Sequence, residues 1–194
     1  KGSGLSVQDY TLDQCVPVFD MAWGRSAYKA EKCQARNQLA LAHIQANNFK
    51  YVVLAASWPG INTGKIYHNG LRVTDDQAKQ ALLQEKLSKT LHSLISIGIR
   101  PIVLEDTPDL GGKSPKCPLK QAVFDASLSC SVLRPVNTFF GSMLEALQQE
   151  YPEVIIIKPR ELICDGEVCE VSMKGIPLFR DDDHLNEMGA SLMG

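Results

Sequence analysis

Short apolar runs alternate with longer amphipathic stretches along this chain. Three apolar runs predict buried strands, at residues 51–56, 102–104 and 154–157. The first run is apolar enough to be buried on both faces. Leu5 to Tyr10 is a further, short strand candidate.

The amphipathic stretches predict helices. Residues 31–47 form the first, and Thr74 is the predicted N-cap of a second, which continues to about Ile97 with Gly98 past its end. A third helix is predicted from Pro135 to Glu150. The apolar side of the first helix is expected to carry Leu39, Leu41 and Ile44.

Strands that alternate with helices favour a parallel sheet with helices on both faces. Ligands of such folds bind at the edge where the strands have their carboxyl ends. Three segments are expected to gather at that edge: Ser57–Trp58, residues 105–108 and residues 181–184. The sequence therefore predicts an α/β fold with its site along one sheet edge.

Composition favours one globular domain over residues 1–194. The 194 residues are 44% hydrophobic and 22% charged, enough for one well-buried core. The net charge of -2 gives no electrostatic reason to expect a nucleic-acid or anionic-membrane partner. No apolar run approaches the roughly 18 to 20 residues that span a bilayer.

The most informative chemistry lies near the carboxyl terminus, where residues 179–190 are FRDDDHLNEMGA. Asp181 and His184 are three residues apart and can meet within one turn. A carboxylate bonded to one ring nitrogen fixes the imidazole tautomer, so that the other nitrogen can take a proton from a hydroxyl. The pair predicts half of a nucleophilic hydrolase or transferase site.

Two other interpretations of this segment are open. Asp181, Asp182 and Asp183 can be a solvated acidic loop and the N-cap of the last helix, with His184 merely near the helix dipole. Asp and His can also ligate a metal ion. No second His or Cys cluster has ligand spacing, and no glycine-rich phosphate loop follows a strand, so we expect neither metal nor cofactor.

The six cysteines fall into three sequence-local pairs: Cys15 with Cys33, Cys117 with Cys130, and Cys164 with Cys169. Each pair flanks a loop rich in Gly, Pro, Ser or Asp, which favours disulfides that staple loops. An even count of this kind suits an oxidising compartment. The alternatives are free buried thiols in a cytosolic protein or a zinc site, although C-x4-C alone lacks the paired spacing of a zinc ribbon.

Four blocks carry a family resemblance over nearly the whole chain. They are residues 52–58 (VVLAASW), residues 101–108 (PIVLEDTP) with Cys117 downstream, the pair Cys164 and Cys169, and residues 178–190. In this order and spacing they resemble the SGNH-type domain fused to the carboxyl side of bacterial membrane O-acyltransferases of the acyltransferase-3 family. The last block is the most specific.

The resemblance implies a three-layer α/β/α, flavodoxin-like SGNH hydrolase fold with a mainly parallel sheet and disulfide-stapled loops. It implies a periplasmic domain, tethered to the inner membrane by a membrane acyltransferase domain that provides the acyl donor. It also implies transfer of an acetyl group to a hydroxyl of a cell-surface polysaccharide. Asp181 and His184 match the acid and base positions of the family.

The sequence departs from the family at the nucleophile. The family's serine lies in a Gly-Asp-Ser-His block after the first strand, and this sequence contains no Gly-Asp-Ser. We therefore expect a domain truncated at both ends, with its serine upstream and no activity of its own. Ser3 lies between two glycines at a terminus that we expect to be frayed, and Ser6 lacks the preceding strand that a nucleophile turn needs. Trp58-Pro59 after Ser57 disfavours a tight helix start.

Trp58 and Ser57 are the predicted substrate-binding residues. An aromatic ring at a strand end suits stacking on a sugar, and the alternative is an indole that caps the core. Trp58 also stands where ordinary SGNH hydrolases have an Asn that donates to the oxyanion, so the identity of the second oxyanion donor is left open.

The alternatives to acetyl transfer are an inactive carbohydrate-binding or scaffold domain and a secreted SGNH esterase or deacetylase.

Overall fold

The computed structural model describes residues 6–24, 26–58, 65–112, 114–134 and 138–193. The helices in this part of the chain are α1 (Ala27–Ala46), α2 (Asp76–Ser96), α3 (Cys117–Val123), α4 (Thr138–Glu150), α5 (Arg160–Ile163) and α6 (Glu187–Met193). The strands are β1 (Ala22–Trp23), β2 (Tyr51–Ala55), β3 (Ile66–His68), β4 (Leu71–Val73), β5 (Arg100–Leu104), β6 (Val132–Leu133), β7 (Ile155–Ile157), β8 (Cys164–Asp165), β9 (Val168–Cys169), β10 (Ser172–Met173) and β11 (Ile176–Pro177).

The chain divides into two compact units. The first comprises residues 1–102 and 147–155, and the second comprises residues 103–146 and 156–194. The prediction of one domain over the whole chain stays a prediction. No helix within the described ranges is long and apolar enough to cross a membrane.

The three predicted main strands are present. β2, β5 and β7 form a parallel sheet with β5 in the middle, and the division between the units falls within β5 and β7. The prediction that the first strand is buried on both faces is wrong, because burial alternates along β2 and one of its faces is exposed. Leu54 is buried, but Tyr51 and Val53, which point to the other face, are exposed.

In the first unit, α1 begins earlier than predicted because the hydroxyl of Ser26 accepts the N–H of Lys29 and caps the first turn. Its buried side also differs from the prediction. Leu39 is exposed and Leu41 and Ile44 are half-buried, whereas the buried residues are Ala30, Cys33 and Asn37. The Asn37 amide donates to the carbonyls of Val16 and Val18 at 2.7 and 3.1 Å, and these bonds satisfy it inside the core.

The second long helix has the predicted length, with a different cap. The carboxylate of Asp75, not the hydroxyl of Thr74, accepts the N–H of Ala78 at 2.8 Å. Gly98 follows the helix with a φ of +82°, the left-handed conformation that ends many helices. The buried stripe of α2 includes Leu83, Leu87, Thr90, Leu91 and Leu94.

A small antiparallel sheet in the same unit was not predicted. β3 pairs with β1 and with β4, and Asn69 and Gly70 connect β3 to β4 with φ of +50° and +77°. Positive φ at both positions is typical of a tight hairpin turn. The Asn-Gly dipeptide is the sequence signal that indicates this hairpin.

The strand predicted over Leu5–Tyr10 is wrong. Leu5 lies outside the described residues, and residues 6–10 form no strand. The Asp9 carboxylate accepts the N–H of Thr11 at 2.7 Å, a local bond that replaces strand pairing there. The exposed side chain of Val7 has no buried face to occupy.

The second unit contains two further antiparallel pairings, β6-β9-β8 and the hairpin β10-β11. Its core cluster comprises Leu110, Cys117, Cys130, Val132, Ile163, Cys169, Val171, Leu178 and Phe179. The third predicted helix is α4, which begins at Thr138, while its predicted start at Pro135 lies outside the described residues.

All six cysteines form disulfides in the predicted pairs, Cys15–Cys33, Cys117–Cys130 and Cys164–Cys169. The first joins the segment before β1 to α1. The second ties the start of α3 to the loop before β6, and the third links β8 to β9. Because the last two lie in the core of the second unit, they are part of its packing as well as loop staples.

We expect Thr90→Val to destabilise the protein although the two side chains have nearly the same shape. The Thr90 hydroxyl is fully buried, donates to the Lys86 carbonyl at 2.8 Å and accepts the N–H of Phe19 at 2.9 Å. Valine leaves that N–H unpaired, which costs about 1–3 kcal/mol. Urea denaturation measures the loss. In the control Ser93→Ala, an exposed hydroxyl is removed, and we expect a change within about 0.5 kcal/mol.

Candidate active site

Asp181 and His184 lie in a tight loop between β11 and α6. The loop is closed at its base by a bridge between Phe179 and Leu185, where the N–H of Arg180 donates to the carbonyl of His184 at 2.8 Å. Five residues, 180–184, therefore connect the two bridged residues. This closure places the two side chains on the same short turn.

The geometry is that of an oriented imidazole. The Asp181 Oδ1 accepts the backbone N–H of His184 at 2.8 Å and lies 2.9 Å from its Nδ1. A carboxylate accepts, so Nδ1 carries the hydrogen and Nε2 presents its lone pair. Within the described part of the chain, Nε2 has no hydrogen-bond partner, and the His184 side chain is 62% exposed. The ring is therefore fixed on one side and open to a substrate on the other.

A second carboxylate, which the sequence reasoning missed, also faces this ring. The Asp183 Oδ1 lies 2.8 Å from the His184 Nδ1. Asp181 is the better orienting group because it also holds the backbone of His184. The sequence signal for Asp183 is its position next to His184 in a run of three aspartates.

Charge and hydrogen bonding tune the pair. The hydrogen bond from the backbone N–H of His184 holds the pKa of Asp181 well below its ordinary range. Hydrogen bonds from the His184 side chain and from the N–H of Asp183 lower it further. The hydrogen bond to Asp181 raises the pKa of His184 above 6.5. Partial burial raises the pKa of Asp183, opposed by the charge of His184. The imidazolium that forms in proton transfer is therefore stabilised by Asp181.

The loop is anchored to α6 by Asn186. Its side-chain oxygen accepts the N–H of Gly189 at 2.7 Å, and its amide donates to the carbonyl of Pro177 at 2.9 Å. Asn186 is thus the residue that caps α6, and the interpretation of the three aspartates as that cap is wrong. Gly189 approaches the carbonyl of Leu178 so closely that a Cβ would lie 2.1 Å from its oxygen.

The loop after β5 supports the loop of Asp181 and His184 from another side. The hydroxyl of Thr107 donates to the carbonyl of Asp183 at 2.9 Å, and the N–H of Leu110 donates to the carbonyl of Asp182 at 2.5 Å. Leu110 is itself buried in the core cluster. The structure therefore brings together the segments 105–108 and 181–184, two of the three that were expected at one edge.

The third segment, Ser57–Trp58, belongs to the first unit, and its relation to the pair stays a prediction. The Trp58 side chain is 1% exposed, which agrees with the alternative interpretation of Trp58 as an indole that caps the core. Stacking on a sugar needs the residues that cover this ring to move. Among the other serines considered, Ser6 is exposed and follows no strand, and Ser3 lies outside the described residues.

Asp181, Asp183 and His184 are also the residues that come closest to a metal site. One ligand atom from each lies within 4.8 Å of the others. The distances from Nδ1 to the two carboxylates, 2.9 and 2.8 Å, are hydrogen-bond distances, and the expected absence of a metal stays a prediction. The donor set therefore fits a hydrogen-bonded acid–base pair.

The nucleophile is the missing part of the site. Among the described residues, no serine hydroxyl hydrogen-bonds the His184 ring, whose partners are Asp181 and Asp183. An oriented base of this kind is what the acid–base half of an acyl-transfer or ester-hydrolysing site needs, and that role of Asp181 and His184 stays a prediction. This defines the class of site without naming its substrate.

Comparison with known proteins assigns the family. The family model described as "SGNH domain (fused to AT3 domains)" matches residues 1–194. The chain therefore belongs to the family of SGNH domains that are fused to AT3 domains. No curated protein and no solved structure matches it. Membership confirms the resemblance, and it supports an enzyme of the acyl-transfer or esterase type in a parent protein with a membrane acyltransferase domain.

We expect the His184 ring to titrate with a pKa above 6.5 in this chain, and Asp181→Asn to lower that pKa, because the asparagine has no charge with which to stabilise the imidazolium. NMR of the ring Cε1–H against pH measures both values. The other three histidines serve as internal controls, and their curves should not change between the two proteins. Identical His184 curves would show that Asp181 does not act on the ring.

Proposed function

We propose that this domain contributes the general base and its orienting carboxylate to a Ser-His-Asp O-acetyltransferase that acts on a bacterial cell-surface polysaccharide. The geometry of Asp181 and His184 carries the proposal: Nδ1 is 2.9 Å from the carboxylate, and Nε2 is open on an exposed ring. Family membership supports the general acyl-transfer role.

In the proposed mechanism, a serine oxygen attacks the acyl carbonyl carbon of the donor while the His184 Nε2 accepts the serine proton. That proton passes to the leaving group of the donor, and an acetyl-serine ester remains. Nε2 then takes a proton from a glycan hydroxyl, whose oxygen attacks the ester. The proton returns to the serine oxygen, and Asp181 stays ionised throughout and stabilises the imidazolium. With water as the acceptor, the same steps make an esterase.

The nucleophile is proposed to come from a Gly-Asp-Ser block of the parent protein outside this sequence, which itself contains no such block. Ser57 is the alternative within the chain, because it follows the end of β2 after one residue. The backbone N–H after the nucleophile and a second donor would bind the oxyanion. Trp58 and Ser57 are the proposed substrate contacts.

The finer features of the fold and location belong to the same proposal. Three disulfides support an oxidising compartment, which we take to be the periplasm. The fusion to AT3 domains supports an inner-membrane tether and delivery of the acyl donor from the membrane domain. The proposed fold is a three-layer, flavodoxin-like arrangement with a mainly parallel sheet. The three-stranded sheet β2-β5-β7 supports this proposal.

A glycan-binding domain without activity is the competing function. One observation favours it: no serine among the described residues reaches His184. Both functions use an exposed site that accepts a sugar. They differ in whether a hydroxyl nucleophile meets Nε2 in the parent protein.

Acetyl-ester hydrolysis separates the two functions. We expect no activity from the 194-residue chain, and activity from a chain extended upstream through the proposed Gly-Asp-Ser block of the parent. His184→Ala should abolish that activity because Nε2 is the general base. Lack of activity in both chains would favour the glycan-binding domain. Activity of the short chain that depends on His184 would place the nucleophile within this sequence, with Ser57→Ala as the next variant.

In the active form, Asp181→Asn should lower turnover by roughly 10^4, since the ring loses the group that sets its tautomer. Asp183→Asn is the matched control, and we expect a much smaller loss because Asp181 still holds the ring and the backbone of His184. A loss below tenfold for Asp181→Asn would contradict a catalytic role of Asp181.

Because the base works as neutral imidazole, activity should rise with pH through a midpoint above 6.5.

A further inference from the structure

The outward side of α3 is apolar and exposed. We call α3 face the set Lys116, Leu119, Lys120, Val123 and Phe124, which recur at helical spacing on one side. The side chains of Leu119, Val123 and Phe124 are 58%, 61% and 84% exposed, and both lysines are exposed as well. Single exposed apolar residues are ordinary, but three neighbours on one helix face mark an interaction surface.

The α3 face is preformed. Phe124 keeps helical backbone angles, and its N–H donates to the Lys120 carbonyl at 2.9 Å, so the turn continues through it. On the opposite side Cys117 is buried and forms a disulfide with Cys130. The Gln121 amide donates to the carbonyl of Leu128 at 2.6 Å and holds the returning segment. A partner therefore meets a rigid surface.

The charges of the α3 face are positive. Lys116 and Lys120 lie one turn apart beside the apolar side chains. The neighbouring carboxylate, Asp125, accepts the N–H and the hydroxyl of Ser127 at 2.9 and 2.6 Å. One of its oxygens is therefore already bonded within its own loop. The net charge of -2 gives the whole chain no attraction to an anionic partner, so any such attraction has to come from a local arrangement of positive charge such as this one.

We propose that the α3 face contacts an anionic lipid bilayer. Phe124, Leu119 and Val123 enter the boundary between headgroups and acyl chains, and the two lysines stay at the level of the anionic headgroups. This combination of aromatic and aliphatic residues with lysines fits a lipid surface better than an ordinary protein interface, where lysine is depleted. The AT3 domains to which this family is fused bring such a surface close to the domain.

The contact has a consequence for the catalytic loop. β11 packs against both α3 and α6, and it leads directly into the loop that carries Asp181 and His184. A bilayer held at α3 would fix the height of the acid–base pair above the membrane. The lipid contact does not depend on the proposed acetyl transfer, and it can be tested on this chain without any activity.

Co-sedimentation with vesicles tests the proposal. The probes are phosphatidylethanolamine–phosphatidylglycerol vesicles and neutral phosphatidylcholine vesicles, each titrated against the 194-residue chain. We expect binding to the anionic vesicles that weakens about fivefold for each of Lys116→Gln and Lys120→Gln. Phe124→Ser should reduce it at least as much. Asp125→Asn should strengthen it, because it removes a carboxylate next to Phe124 in the chain.

Leu71→Ser is the matched control, since Leu71 is as exposed as these residues but lies on β4 in the first unit. It should leave lipid binding unchanged, and circular dichroism should show that every variant is folded. Failure to bind the anionic vesicles, or equal binding by wild type and Phe124→Ser, would overturn the proposal. A dimer in sedimentation velocity that Phe124→Ser dissociates would overturn it in favour of a second copy of the chain.

Discussion

The bond between the Asp181 carboxylate and His184 is the interaction on which the site depends. One oxygen serves both the backbone N–H and the ring Nδ1 of the same residue, so the loop shape and the ring orientation are set together. A base whose hydrogen sits on Nδ1 keeps Nε2 free for proton transfer. This one contact therefore links the backbone of an exposed loop to the chemistry that the family performs.

An exposed loop holds such a contact only if its backbone is restrained. The restraint comes from three directions: the bridge between Phe179 and Leu185, the Asn186 cap on α6, and the Thr107 and Leu110 bonds from the loop after β5. Leu110, Leu178 and Phe179 are buried in the same core cluster. The loop that carries Asp181 and His184 is thus supported by the core of the second unit, as expected for a functional loop positioned by a rigid scaffold.

Disulfides complete that scaffold. Cys117, Cys130 and Cys169 lie inside the cluster that carries the loop, so two of the three cross-links constrain the unit in which the acid–base pair lies. Cross-links reduce the conformational entropy of the unfolded chain and so stabilise the folded state. A small unit with short strands gains most from this stabilisation. They also hold α3 rigid, and its outward face is the surface that we assign to the membrane.

The sequence by itself determined the three main strands, the two long helices, the cysteine pairs and the Asp181–His184 pair, because hydrophobic period, loop composition and motif spacing are local properties. It did not determine the buried side of α1, where two carbonyls hold Asn37 inside, and its prediction of a strand over Leu5–Tyr10 was wrong, since residues 6–10 form no strand. Only the tertiary structure brought Thr107 and Leu110 to the loop and turned Asp183 toward the ring. The contacts of Thr107 and Leu110 join residues far apart in the chain, and nothing in a local pattern encodes them.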